Sequence, residues 1–243
     1  MKMDISSLLE STVAKAAVNT AHMNGFDPEA AIQAEIAKAQ RAAVANRTEA
    51  YAQEVFKRAA IPPRFASRTL DNFIPHCDKS ARALRVATGY AKNFKEVLEK
   101  GQSMIFVGNV GSGKTHLASG IAHEVIQQGH QALFSTVLGA VRTVKETYRR
   151  DSTKTESEAI LELIEPDLLV LDEVGVQFGS DAEKLILFEI INGRYEHMKP
   201  TILLSNLNIE GLGEYLGERV MDRLREGGGK MIAFDWESYR RNV

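Results

Sequence analysis

One run of eight residues, Gly108-Asn109-Val110-Gly111-Ser112-Gly113-Lys114-Thr115, limits what this chain can fold into more than any other. It fits the pattern G-x-x-x-x-G-K-[ST], and its flanks suit that pattern. The apolar stretch 104–107 reads as a strand entering the loop, and 115–128, ended by Gly129, reads as the helix leaving it. Glycines let the backbone turn its N–H groups around phosphate oxygens, and the helix N-terminus adds partial positive charge. Lys114 is placed to reach β- and γ-phosphates, and the Thr115 hydroxyl to hold Mg²⁺. The expectation is a nucleoside triphosphate site on a strand–loop–helix unit.

Such a site needs an acid on the metal side. Residues 168–171 are Leu-Leu-Val-Leu and run into Asp172 and Glu173. A continuous apolar run suits a central parallel strand covered on both faces, and ligands bind at the carboxyl ends of such strands. Asp172 is expected to hold Mg²⁺, directly or through water. Side chains alternate along a strand, so Glu173 is expected on the other side of the tip, where it orients or deprotonates an attacking water. A nucleotide kinase would share the loop but needs a second substrate site, and no arginine-rich acceptor lid is recognisable. Hydrolysis is the better reading.

Composition sets outer bounds. The chain has 243 residues, 44% hydrophobic and 26% charged, enough for one ordinary soluble domain plus an extension. With a formal net charge of −2, any nucleic-acid contact must come from a local basic patch. The first ten residues lack a signal-peptide core, no run approaches a membrane span, and a lone Cys77 excludes an intramolecular disulfide. These features point to the cytoplasm, with Cys77 an ordinary loop residue.

The first 60 residues are alanine-rich and lack a glycine-bounded strand. Segments 6–18 and 29–60 read as helices, the second opened by Asp27-Pro28 and closed by Pro62-Pro63. With few large apolar groups, they suit either a solvated appendage or, the favoured reading, a docking arm that orders on a partner. From residue 61 helices and strands alternate: helix 79–99, strand 104–107, helix 115–128, strand 132–137, helix 138–148, helix 157–164, strand 168–171, helix 181–197, strand 201–205, helices 209–217 and 218–225, and strand 231–234. That alternation predicts a parallel, three-layer α/β domain over 61–243, preceded by a helical region over 1–60.

The motifs GNVGSGKTHLA, DLLVLDEVGVQ, ILLSNLN, LGERVMDRLR and FDWESYR together resemble the AAA+ ATPases. Among these they resemble the DnaC-type helicase loaders of bacteria and phages, with the IstB-type ATPases of transposition as relatives. The resemblance covers nearly all of 60–243. It implies an ATP site formed by Gly108, Asn109, Val110, Gly111, Ser112, Gly113, Lys114, Thr115 and His116, with Mg²⁺ at Thr115 and Asp172. It also implies a sensor residue at Asn206, an arginine finger at Arg223 with Arg219 one helical turn earlier, and a second sensor at Arg240 with Arg241 adjacent.

The resemblance further implies a DNA-contacting helical insertion near 138–164. There Arg142, Lys145, Arg149 and Arg150 have the chemistry to neutralise phosphates and Tyr148 to stack on a base. Helical spacing is expected to gather Lys145, Tyr148 and Arg149 on one face. The implied function is an ATPase, slow until assembled into a spiral oligomer, that loads a DnaB-type replicative helicase onto single-stranded DNA. Its N-terminal region would grip the helicase. The alternative is an IstB-like ATPase assisting a transposase.

Overall fold

The computed structural model describes Gln33, residues 36–38, 59–175 and 181–238. The chain divides into two compact units, Met1–Tyr51 and Ala52–Val243. In the first, Gln33 and 36–38 are helical. The expected helix over 6–18 and most of the one over 29–60 lie outside the described residues. At the far end of the latter, Ala59 and Ala60 form a turn, and the Ala59 carbonyl accepts from the Phe134 N–H at 2.8 Å.

The second unit is a parallel five-stranded sheet: β1 (Met104–Gly108), β2 (Ala132–Thr136), β3 (Leu168–Val174), β4 (Thr201–Ser205) and β5 (Lys230–Phe234), in the order β2-β3-β4-β1-β5. Every pairing is parallel. Between the strands run α1 (Asp78–Lys92), α2 (Phe94–Glu99), α3 (Lys114–Gln127), α4 (Val137–Glu146), α5 (Glu156–Ile164), α6 (Asp181–Glu196), α7 (Ile209–Leu216) and α8 (Glu218–Arg225). The strands' alternation builds two cores. Phe106, Val170 and Leu204 face α1–α3, while Ile105, Leu171 and Leu203 face α4–α8. The fold is therefore the expected three-layer α/β sandwich.

Insertion of β4 between β1 and β3 positions the site. The phosphate-binding loop (P-loop), residues 108–115, leaves β1 and the acidic tip ends β3, so the tip of β4 lies between them, with neighbouring strands about 4.8 Å apart.

Four local expectations are corrected. The single helix over 79–99 breaks at Asn93, whose side-chain amide donates to the Gly89 carbonyl at 2.8 Å and whose backbone leaves helical values. Strand β2 stops at Thr136, because its hydroxyl accepts from Gly139 N and caps α4. Cys77 is exposed but does more than fill a loop, forming a reciprocal cap with Ser80 at the start of α1. Strand β3 runs past Leu171 to Val174 through a bulge: Leu171 is paired with Leu203, and Val174 with Ser205.

Candidate functional site

The glycines of the P-loop answer close contacts. A Cβ on Gly108 would lie 2.5 Å from the Phe234 carbonyl, and one on Gly113, at φ +99°, 2.7 Å from the Phe73 ring. Lys114 opens α3 and is 7% exposed. Its ammonium donates to the carbonyls of Gly108 at 2.8 Å and Asn109 at 2.7 Å, and burial lowers its pKa to about 8. Thr115 Oγ1 donates to Asp172 Oδ2 at 3.1 Å, joining α3 to the β3 tip. Burial raises the Asp172 carboxyl above the usual range, against the pull of hydrogen bonds from Glu173 N and Thr115. Lys114, Thr115 and Asp172 are thus brought together as the sequence predicted.

Glu173 is not placed by simple alternation. It is exposed, adopts φ +63° at the bulge, and its own N–H donates to Asp172 Oδ1 at 2.7 Å. A left-handed non-glycine backbone costs roughly 1–3 kcal/mol, and such strain concentrates at functional positions. Buried Ser205 stabilises the bulge by donating to the Val174 carbonyl at 2.7 Å while accepting from Leu207 N. Asn206, the next residue, is exposed at the tip of β4.

His116 turns toward the segment before α1. Its Nε2 meets two acceptors, the Thr69 carbonyl at 2.9 Å and Asn72 Oδ1 at 2.8 Å, so that nitrogen carries the proton. Burial holds its pKa below the ordinary histidine value. Phe73 packs edge-on against it at 5.2 Å. Thr69, Asn72 and Phe73 therefore roof the P-loop helix, a role the sequence reading missed because they carry no motif of their own.

The arginines of α8 lean on α6. Arg223 Cζ lies 5.6 Å from the Phe188 ring centre and 5.2 Å from that of Tyr195, while exposed Arg219 reaches Phe188 at 5.9 Å. Arg223 Nη1 is buried without a hydrogen-bond partner. Cation–π contact holds both guanidiniums. Arg240 and Arg241 lie outside the described residues.

In the basic insertion, α4 ends at Glu146, with Thr147 Oγ1 donating to the Val144 carbonyl. Tyr148 and Arg149 therefore sit in the following turn and do not extend a helical face with Lys145. Tyr148 is 57% exposed and its hydroxyl donates to Glu156 at 2.6 Å, which raises its pKa. Arg142, Arg149 and Arg150 are exposed, and Lys145 is ion-paired with Glu183 at 2.9 Å.

Arg194, unremarked in the sequence, is fully buried. It donates to Thr201 Oγ1 and to the carbonyls of Leu163, Ile164, Pro166 and Pro200 at 2.7–3.0 Å.

Among the described residues, no three His, Cys, Asp or Glu side chains could hold a metal ion, and no helix is long and apolar enough to cross a membrane. Thr115 and Asp172 still fit a hard, oxygen-seeking cation whose remaining ligands are phosphate and water oxygens.

A P-loop after β1, an acid at the tip of β3 and a polar residue at the tip of the interposed β4 define a P-loop nucleotide-binding protein of the AAA+ kind. A family model described as IstB-like ATP binding protein matches residues 11–242. The replicative helicase loader DnaC of Escherichia coli K12 is 37% identical over 191 residues, which span 79% of this chain and 76% of that protein. A crystal structure of the DnaC helicase loader matches with a TM-score of 0.62 at 25% identity, covering 71% of this chain and 99% of that one. AMPPCP-bound DnaA from Aquifex aeolicus shares the fold, with a TM-score of 0.60 at 24% identity over 75% of this chain and 53% of that one. The chain belongs to the AAA+ family of DnaC-type helicase loaders and IstB-like ATP-binding proteins.

Proposed function

We propose that this chain is an ATP-driven loader that delivers a DnaB-type replicative helicase to single-stranded DNA. One observation carries the reading: Lys114, Thr115 and Asp172 meet at the strand tips within a stretch 37% identical to a helicase loader. Lys114 grips the β- and γ-phosphates, Thr115 and Asp172 hold Mg²⁺, and Glu173 activates water while Asn206 aligns it against the γ-phosphate. The Mg²⁺ ion supplies charge neutralisation at the phosphates.

Arg223, or Arg219 beside it, completes the site of a neighbouring subunit as an arginine finger, a contribution worth about 10³–10⁵ in rate in related NTPases. Arg240 contacts nucleotide from the C-terminal side. Turnover is accordingly slow until subunits form a spiral. Within it, Arg142, Lys145, Tyr148 and Arg149 touch single-stranded DNA. Residues 1–60 grip the helicase, and the protein works in the cytoplasm.

The test is co-purification of the tagged chain with the replicative helicase of its source cell, with and without residues 1–60. Capture that is lost on truncation supports the loader. Recovery of a transposase in its place favours the IstB-like alternative, which the family model's description keeps in view.

A further inference from the structure

The turn after β5 carries the chain's only tryptophan, Trp236, which is 7% exposed. Its ring packs 4.8 Å from Phe234, which in turn lies 5.1 Å from Phe106 of β1. The indole Nε1–H donates to the Ser112 carbonyl at 2.9 Å, inside the P-loop. Two bonds run the other way. The Asn109 side-chain amide donates to the Trp236 carbonyl at 3.1 Å, and the Asn109 backbone N–H to the Phe234 carbonyl at 2.9 Å. On the turn's far side, Asp235 pairs with Lys79 at 2.6 Å.

We propose that Trp236 is a positioning residue of the nucleotide site, which sets the curvature of the P-loop from outside. This rests on the P-loop reading above. In a trans peptide the C=O of one residue and the N–H of the next point in opposite directions. Drawing the Ser112 carbonyl outward onto the indole therefore turns the Gly113 N–H inward, toward the phosphates. The same rule applies one turn earlier. With Asn109 N–H held by Phe234, the Gly108 carbonyl faces inward, where it accepts from Lys114 at 2.8 Å.

The pattern G-x-x-x-x-G-K-[ST] leaves Asn109 and Ser112 open, and the clasp gives both a role. Asn109 reaches the Trp236 carbonyl, and the Ser112 hydroxyl closes the loop on the Asn109 carbonyl at 2.6 Å. A loop held this way meets phosphate with its donors already oriented, so that less ordering cost falls on binding.

The test is Trp236→Phe in the full chain, which keeps the ring against Phe234 and removes the donor. ADP and ATP are titrated by calorimetry well below the melting temperature, with melting followed in parallel and Lys114→Ala as control. Loss of one oriented hydrogen bond predicts roughly tenfold weaker binding of both nucleotides, with melting lowered by about 2–4 °C. Asn109→Ala cuts the clasp from the loop side and is expected to weaken both nucleotides severalfold, a readout that stands even if Trp236→Phe folds poorly. Wild-type affinity in either folded variant, beside a Lys114→Ala protein that has lost nucleotide, overturns the positioning role. Nucleotide retained by Lys114→Ala overturns the P-loop reading itself.

Discussion

Thr115 Oγ1 and Asp172 Oδ2 lie 3.1 Å apart, so the first turn of α3 and the tip of β3 are tied by a single hydrogen bond. The carboxylate is mostly shielded and its pKa is raised by that burial, which leaves it poised for a cation beside it. Thr115→Val removes the hydroxyl at constant volume. Wild-type protein should bind ATP more tightly with Mg²⁺ than with EDTA, and the variant should lose most of that difference. Melting should fall by about 2–4 °C, for the roughly 1 kcal/mol of one partly buried hydrogen bond. A variant whose ATP affinity still responds fully to Mg²⁺ removes Thr115 from the metal site.

Lys114 gives a pH signature. Burial lowers its pKa to about 8 in the free protein, and phosphates beside it would restore the charged form. Above about pH 8 the free lysine is increasingly neutral, so nucleotide binding must take up a proton. Affinity should then fall with rising pH, approaching about tenfold per unit. The folding linkage has its own sign. The unfolded lysine, at its ordinary 10.5, holds more protons than the folded one between about 8 and 10.5, so this group adds stability as pH rises through that window. Calorimetry at pH 7 and pH 9, in buffers of different ionisation enthalpy, should report proton uptake only at the higher pH.

Glu173 combines exposure with a strained backbone beside the half-buried Asp172. Glu173→Gln keeps size and hydrogen bonding but removes the base. ATP affinity should stay within about twofold, while turnover measured with helicase and single-stranded DNA present falls about 10²–10⁴-fold. Wild-type turnover would end its assignment as the base.

The readable parts of this sequence are those where chemistry and local pattern coincide. Lys114, Thr115 and Asp172 declared themselves because a glycine loop and an apolar strand leave few other arrangements, and strand 201–205 agrees residue for residue. The unread parts depend on contacts between distant residues. The bulge that reorients Glu173 is set by Ser205 on the neighbouring strand, and the Trp236–Ser112 bond spans residues far apart in the chain. Periodicity places Tyr148 on a helical face because it does not register the turn after Glu146, where Thr147 and Tyr148 N–H bond back three residues instead of four.

Arg194 was invisible for the same reason. Its sequence neighbours say helix, but its five partners lie on the end of α5, the loop after it, Pro200 just before β4 and Thr201 at the start of β4. Full burial without a carboxylate at hydrogen-bond distance lowers its pKa to about 9, and the carbonyls compensate the charge. Arg194→Lys keeps the charge and loses the planar fork. About 3 kcal/mol of stability should go with it, or roughly 6–12 °C in melting temperature. A melting curve within 2 °C of wild type would show, on the same scale, that the carbonyls manage without the guanidinium.

The insertion offers the last prediction, through two side chains that are each held by a glutamate. Tyr148 is exposed but its hydroxyl is bound to Glu156, and Lys145 is held by Glu183. If the ring stacks on a base, Tyr148→Ala should weaken single-stranded DNA binding by about 1–3 kcal/mol, while Tyr148→Phe, which keeps the ring, should bind at least as well as wild type. Freeing Lys145 with Glu183→Gln acts through charge. Affinity for DNA should rise, and the salt dependence should steepen by about 0.7 for one added phosphate contact on a single strand. Lys145→Ala should reduce both. ATP affinity is the control and should not move in any of these variants. Should Tyr148→Ala and Lys145→Ala titrate DNA like wild type across a salt series, the contact lies elsewhere, and exposed Arg142 and Arg149 become the residues to replace.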